Sequence, residues 1–127
     1  MLEPSSNPPV NALSASELIL LALEGDEEAF TTLYLRYTPE LHRYVSGLTH
    51  SREERDEVVA ETFVKAWQKL VQLESCEHFR AWLYRIATNV ARDWRRREKI
   101  RQKLSLEATR IQAALPLHGH EYLEVQS

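Results

Sequence analysis

The sequence predicts an all-α fold, a compact bundle of four to five helices with flexible segments at both ends. Apolar residues recur at intervals of three and four after residue 13, which is the period of an amphipathic helix. The 127 residues include only three glycines and five prolines, and three of these prolines lie in the first nine positions. Turn-dense all-β folds need more of both residues, so this composition argues against them. We divide the chain into a disordered segment (1–14), a helical domain (15–103) and a tail (104–127).

Two helices are predicted in the first third of the chain. Ser14 and the glutamate three residues after it have the spacing of a capping box, in which each side chain satisfies a free backbone N–H group, so a helix is expected near 15–24. Gly25 can end this helix in the left-handed conformation. Asp26 can cap the next one, which is expected to continue to about Tyr37.

Two further helices are predicted between residues 39 and 73. Proline loses no hydrogen bond at the first helical position, so Pro39 is interpreted as the start of a third helix, about 39–49. Ser51 and the glutamate three residues later repeat the capping box and open a longer helix to about residue 73. Its apolar stripe includes Phe63 and Trp67, which we assign to the core, and its opposite face is charged.

A final helix is predicted at about 78–103, after a short break at 74–77. Its apolar residues keep the 3.6-residue period for four turns, and this period places Trp82 and Trp94 in the core. Beyond Trp94 the stripe thins into Arg95-Arg96-Arg97-Glu98-Lys99, so this end is expected to extend into solvent. The tail is expected to hold one helical turn or more between Leu106 and Leu115.

The sequence offers little for enzyme chemistry or for a cofactor, and we expect neither. It contains no phosphate-binding glycine loop, zinc-protease motif or nucleophile elbow. Adjacent carboxylates such as Glu53 and Glu54 point in different directions on a helix, which favours solvated charge. A remote alternative is a zinc site from Cys76, His78, His118 and His120.

The sequence also indicates where the chain acts. No apolar run is long enough for a membrane span, and the N-terminus lacks the basic and apolar regions of a secretion signal. The single cysteine cannot form an intramolecular disulfide. These features predict a cytoplasmic protein.

Charge is distributed unevenly along the chain. The formal net charge is −3, but residues 1–78 carry six Lys and Arg against fourteen Asp and Glu, whereas residues 79–103 carry nine against two. The last 24 residues are mildly acidic, with one basic residue against three acidic ones. A basic block after an acidic domain predicts a polyanionic partner for one part of the chain and a different partner for the rest.

The basic block has a composition that suits nucleic acid. On the last predicted helix, arginines and an asparagine share the face opposite the apolar stripe. Guanidinium groups neutralise phosphates, an asparagine amide can read a base edge, and aromatic rings can stack on unpaired bases. The alternative is a solvated basic face. The polar residues of this face are Arg85, Thr88, Asn89, Arg92, Arg95 and Arg96.

Three sequence blocks between residues 25 and 97 give the chain a recognisable resemblance. It resembles region 2 of bacterial RNA polymerase sigma factors, in particular the extracytoplasmic-function (ECF) group. Any one block would be weak, but their order and spacing together are specific. The blocks are Gly25-Asp26-x-x-Ala29-Phe30 with Leu33, Tyr34 and Tyr37; the run from Asp56 to Trp67; and the run from Phe79 to Asn89.

The resemblance implies that the chain binds core RNA polymerase. In this family the helix equivalent to 52–73 docks on the coiled coil of the β′ subunit through its polar face. This chain has Ala60 where the family usually has glutamine, and Glu57 where it usually has aspartate. The implied polymerase-binding residues are Asp56, Glu57, Ala60, Glu61 and Gln68.

The resemblance also implies that the chain binds the non-template strand of the promoter −10 element. The loop before the last helix would hold a base flipped out of the stack, and the helix would meet the upstream edge of the element and its phosphates. The implied pocket residues are Glu74, Ser75, Cys76, Glu77, His78 and Phe79. The implied helix residues are Arg80, Trp82, Arg85, Asn89, Arg92, Arg95 and Arg96.

The function expected from this resemblance is a transcription initiation factor that recognises and melts the −10 element. The alternative is an interaction module that an anti-sigma factor sequesters and that binds little DNA by itself. Sigma factors of this group carry a further DNA-reading domain, region 4, and residues 104–127 resemble only the beginning of the linker to it. The sequence is therefore either part of a longer sigma factor or a form with region 2 alone.

Overall fold

A computed structural model of the protein describes residues 9–115, and this part of the chain is helical with no strand. The all-α class is confirmed. The helices are α1 (Ala15–Leu23), α2 (Glu27–Ser46), α3 (Arg52–Gln68) and α4 (Phe79–Ala114), with single 3-10 turns at Val10–Ala12, Leu70–Gln72 and Cys76–His78.

The chain forms two compact units, Met1–Ala91 and Arg92–Ser127, and α4 contributes residues to both. The first unit contains the hydrophobic core, to which all four helices contribute. Its largest fully buried side chains are Phe79, Leu18, Ile19, Leu33, Leu41, Leu83, Val45, Val58, Val59, Val90 and Thr62. In the second unit every described residue from Lys99 to Leu115 is exposed.

α2 is one continuous helix, so the predicted break before Pro39 is wrong. A proline inside a helix cannot donate a hydrogen bond to the carbonyl four residues earlier. That carbonyl belongs to Leu35, and both Leu35 and Pro39 are exposed, so water can take the place of the missing donor. Glu40, the residue after Pro39, accepts hydrogen bonds from Arg80 and Tyr84 of α4. These contacts help α2 to continue past the proline.

The helix starts follow the predicted capping residues with one change. Ser14 and Glu17 form the complete capping box, with Glu17 N–H donating to Ser14 Oγ and Ser14 N–H donating to Glu17 Oε1. Gly25 follows α1 with a φ of 98°, a left-handed conformation that glycine adopts without strain. Ser51 caps α3 as predicted, but the Glu54 carboxylate accepts from His50 N–H, one residue before the cap.

Both later helices end at positions other than those predicted. α3 ends at Gln68 and is followed by the turn Leu70–Gln72, so the helix expected to reach residue 73 is shorter. α4 continues to Ala114 instead of ending near residue 103. No proline or glycine occurs between Leu104 and Ala114, and residues with good helix propensity dominate there. The first part of the predicted tail therefore belongs to α4.

The segment before α1 also has described structure. Residues 9–14, which composition assigned to a disordered segment, include the turn Val10–Ala12. The carbonyl of Asn11 accepts a hydrogen bond of 3.0 Å from Arg36 Nη2 on α2. The domain boundaries predicted from sequence stay predictions.

Candidate nucleic-acid interface and docking surface

A polar cleft of about 440 Å³ lies where the α3–α4 connection meets the first turns of α4. Four of the residues predicted to contact DNA, two from the connection and two from α4, line this one cleft. A cleft of this size falls in the range of small-ligand sites. The lining residues are Gln72, Leu73, Glu74, His78, Ala81, Trp82 and Arg85.

The connection that forms one wall of the cleft is held by local hydrogen bonds. Ser75 Oγ accepts from Glu77 N–H at 3.3 Å and caps the turn Cys76–His78. The half-buried Cys76 thiol lies 3.9 Å from the carbonyl oxygen of Ser16 on α1. The turn is therefore attached to α1, and it presents Glu77 and His78 to solvent.

Phe79 does not line the cleft, although it was placed with the base-pocket residues. Its side chain is 1% exposed, and its ring packs edge-to-face against Tyr37 with the centroids 5.2 Å apart. A buried ring cannot contact a base in this conformation. Phe79 instead packs in the hydrophobic core and holds the first turn of α4 there.

Trp82 is half-buried, which corrects its assignment to the core from periodicity alone. One side of the side chain packs on Phe79, with ring centroids 5.9 Å apart and planes inclined at 37°. The same side chain also lines the cleft. An aromatic ring that packs on a buried neighbour and is also accessible in a cleft is suited to stacking on a planar ligand such as a nucleobase.

Arg80 is engaged by a carboxylate of the same unit. Its Nε and Nη2 donate to Glu40 Oε2 and Oε1 at 2.8 and 3.1 Å, and Tyr84 O–H donates to Glu40 Oε2 at 3.0 Å. The hydrogen bond and charge of Glu40 raise the pKa of the Arg80 guanidinium. Burial, followed by the hydrogen bond to Glu40, raises the pKa of the Tyr84 phenol.

Arg85 and Asn89 are both exposed on the first unit, as the basic-face prediction requires. Arg85 also lines the cleft. Thr88, which was predicted on the same face, is half-buried and bonds to Tyr44 and to the Tyr84 carbonyl. It therefore serves the contact between α2 and α4.

The remaining predicted DNA residues, Arg92, Arg95 and Arg96, belong to the second unit. Arg92 and Arg96 are exposed and Arg95 is half-buried. Arg96 Nη2 contacts Asp93 Oδ1, three residues earlier on the helix. Similar pairs, Arg101 with Glu98 and Arg110 with Glu107, follow along α4. Such exposed pairs reduce the net positive charge of the helix surface.

The predicted docking residues lie along the accessible side of α3. Asp56, Glu57, Ala60 and Gln68 are exposed and Glu61 is half-buried. Asp56 Oδ1 lies 3.1 Å from Arg55 Nη2 and 3.6 Å from His42 Nδ1 of α2. Glu54 departs from the expectation of solvated charge, because it is 3% exposed.

An apolar groove of about 360 Å³ lies between α2 and α3, beside the docking residues. The sequence reasoning missed it. Trp67, assigned to the core, is 37% exposed and packs on Phe30 at 4.7 Å, whereas Phe63 is buried as predicted. The residues that line the groove are Glu27, Phe30, Thr31, Tyr34, Ala60, Phe63, Val64, Trp67 and Gln68.

The part of the chain that the structure describes contains no group of three or more metal-ligating side chains. His118 and His120 of the zinc alternative lie outside the described residues. None of the helices within residues 9–115 is long and apolar enough to cross a membrane.

Residues 33–100 match the family described as Sigma-70 region 2. The chain belongs to this family. The matched range contains most of α2, all of α3, the connection after it and the part of α4 that lines the cleft. The matched range thus includes both the cleft and the predicted docking residues of α3, whereas α1 precedes it.

Relatives of this region 2 domain support the ECF resemblance. The chain is 35% identical over 82 residues to the ECF RNA polymerase sigma-E factor of Escherichia coli, an alignment that covers 65% of this chain and 42% of the relative. The chain spans less than half the length of the curated relatives it matches.

Two solved structures resemble this region 2 domain. One is an NMR structure of an engineered region 2 of sigmaE in complex with GTAAAA, with a TM-score of 0.65 and 31% identity over 70% of this chain and 93% of that chain. The other is CnrH in complex with the cytosolic domain of CnrY, with a TM-score of 0.58 and 33% identity over 76% of this chain and 64% of that chain.

Proposed function

We propose that the chain is the promoter-opening domain of a transcription initiation factor, which binds core RNA polymerase and recognises and melts the −10 element. The observation that carries this proposal is the polar cleft, where Trp82 and Arg85 of α4 meet Glu74 and His78 of the preceding connection. An engineered region 2 of sigmaE has been solved in complex with GTAAAA, which supports a nucleic-acid ligand for this domain.

The cleft residues supply complementary interactions with an unpaired strand. The Trp82 ring stacks on a flipped base, Arg85 neutralises a phosphate, and the exposed Asn89 amide can bond to a base edge. Stacking on an aromatic ring is worth about 1–3 kcal/mol per base, which is similar to the cost of unstacking it. Capture of the separated strand can therefore drive melting without a covalent step, so we propose no enzymatic activity.

The predicted docking residues of α3 would hold the domain on the polymerase and thereby position the cleft. The exposed carboxylates of α3, Asp56 and Glu57, offer acceptors to basic side chains of the β′ coiled coil. The nearby groove adds apolar contact area. This function places the protein in the bacterial cytoplasm, where polymerase and chromosome meet.

A binding experiment with single-stranded DNA tests the proposal. Fluorescence anisotropy would compare a labelled non-template −10 strand with the same sequence as a closed duplex. We expect tighter binding to the single strand, with affinity that falls steeply as salt rises. Replacing both Arg85 and Arg92 by alanine should reduce the salt slope by about 1.4, roughly 0.7 per phosphate contact on a single strand.

The matched control replaces Arg36 and Arg52, two exposed arginines of the first unit that do not line the cleft, with alanine. This variant removes the same charge and should leave the slope unchanged. Equal slopes for the wild type and the Arg85/Arg92 variant would show that the assigned DNA surface is wrong.

A second candidate function is that of a module held by an anti-sigma factor. CnrH, a structural neighbour, has been solved with the cytosolic domain of CnrY, and the exposed Val64 and Trp67 leave the groove open to a partner helix. An affinity capture from native cytosol separates the two functions. Recovery of β′ favours polymerase binding, whereas recovery of a small regulator without β′, together with no DNA binding, favours sequestration.

A further inference from the structure

Glu40 accepts three hydrogen bonds from the first turns of α4. Arg80 contributes two through Nε and Nη2, and Tyr84 contributes one through its hydroxyl. The two bonds from Arg80 form a parallel fork, which is the arrangement that a guanidinium group also makes with a phosphate. Arg80 was predicted to contact DNA, yet in the free protein a carboxylate occupies this position.

The three partners differ in how firmly they are held. The Arg80 side chain is 66% exposed, whereas the Glu40 side chain is 23% exposed. Tyr84 is half-buried and packs on Tyr44, with ring centroids 4.6 Å apart. If Arg80 leaves, Glu40 keeps the hydroxyl of Tyr84, so only the exposed partner has to move. The Tyr37 ring, 5.8 Å from the guanidinium carbon, helps to keep Arg80 at this surface.

We propose that Glu40 is an internal competitor for nucleic-acid phosphate at Arg80 and thereby sets how many phosphates the domain neutralises. One guanidinium group cannot present the same fork to a carboxylate and to a phosphate. Glu40 also places a negative charge where the backbone of a bound strand would approach. While Glu40 holds Arg80, this arginine does not count as a phosphate contact. The proposal rests on the DNA binding proposed above.

Four proteins test the competition: the wild type, Glu40→Gln, Arg80→Ala and the double variant. The measurement is the affinity for a labelled single-stranded −10 oligonucleotide over a range of salt concentrations. Glu40→Gln should bind roughly two- to fivefold more tightly, the range that corresponds to the free energy of an exposed ion pair. Its salt slope should be steeper by about 0.7, the contribution of one added phosphate contact.

The other two variants locate the effect at Arg80. Arg80→Ala alone should keep the wild-type slope, and the double variant should lose the gain of Glu40→Gln. Glu53→Gln is the matched control, because it removes an exposed carboxylate from the first turn of α3 and raises the net charge equally. This control should leave affinity and slope unchanged.

Two results would overturn the proposal. The first is a folded Glu40→Gln protein, with a wild-type melting temperature, that binds DNA equally well or more weakly. The second is a reduced slope for Arg80→Ala alone, which would mean that Arg80 already contacts a phosphate. The Arg80→Ala measurement does not depend on whether Glu40→Gln folds. Arg80 is largely exposed, so we expect the Arg80→Ala protein to fold. If the proposed DNA binding is itself wrong, the wild type will bind no single-stranded oligonucleotide. That outcome is distinct from both results above, in which the wild type binds.

Discussion

The hydroxyl oxygens of Tyr44 and Thr88 lie 2.7 Å apart and join the last turn of α2 to α4. Thr88 also donates to the carbonyl of Tyr84, whose ring packs on that of Tyr44. These contacts form one continuous patch on the inner side of α4. They fix the helix so that Arg85 and Asn89 remain on its exposed side.

The hydroxyl pair should contribute to folding stability. Tyr44→Phe removes one hydroxyl and keeps the ring packing, so we expect a loss of about 0.5–1.5 kcal/mol in the free energy of unfolding. Chemical denaturation measures this loss. A double-mutant cycle with Thr88→Val should show coupling, because either substitution alone breaks the same bond. Strictly additive losses would contradict the bond.

Alkaline pH should weaken the contact between Tyr84 and Glu40. Burial and the hydrogen bond to Glu40 raise the pKa of the Tyr84 phenol in the folded protein above its unfolded value of about 10. The stabilising contribution of this group is therefore complete below about pH 10 and is lost as pH rises through the folded pKa. The measurement is the urea midpoint between about pH 8 and pH 11.5.

Tyr84→Phe provides the control for the other tyrosines, which also ionise in this range. The stability difference between wild type and Tyr84→Phe should be constant below about pH 10 and should shrink above it. A difference that stays constant over the whole range would contradict the assignment of the alkaline effect to Tyr84.

Removing the Trp82 ring should weaken binding to unpaired DNA. Trp82→Ala takes away the open aromatic surface in the cleft, so we expect a loss of about 1–3 kcal/mol in binding free energy for a single-stranded −10 oligonucleotide. Anisotropy titration measures it. Trp67→Ala is the matched control, because Trp67 is also partly exposed but lies in the groove between α2 and α3. An equal loss for both variants would indicate a general effect on folding.

Neutralising the docking surface should weaken polymerase binding and leave DNA binding intact. Asp56→Asn with Glu57→Gln removes two exposed carboxylates from α3, and affinity for a β′ coiled-coil fragment should fall roughly tenfold, or about 1.4 kcal/mol. Calorimetric titration measures this affinity. Glu53→Gln on the same helix is the control. Unchanged affinity for β′ in the double variant would place the docking surface elsewhere.

Local sequence rules predicted the helices well where the deciding interactions are themselves local. The capping box at Ser14 and the caps at Asp26 and Ser51 involve residues three positions apart, and all three have the expected bonds. The prediction at Pro39 was wrong because a proline can stand at the first position of a helix or lie inside one. The exposure of Leu35 and Pro39 and the contacts of Glu40 with α4, which are properties of the folded chain, favour the position inside the helix.

The candidate site shows the same limit. The three sequence blocks between Gly25 and Asn89 together identified the family, and the match over residues 33–100 confirms it. Burial separates residues that the pattern treats alike, so Phe79 lies in the core while Trp82 opens on the cleft. The pairing of Glu40 with Arg80 joins two helices, and no spacing rule within one helix could reveal it.

The turn after α1 requires a positive φ at Gly25, a conformation that D-residues adopt more readily than L-residues. Gly25 has a φ of 98°, and a Cβ added there would meet no atom within 4 Å. The cost of an ordinary L-alanine at this position would therefore come from the backbone and not from crowding. D-alanine favours positive φ, so in a chemically assembled protein it should avoid the backbone cost that L-alanine carries at this position.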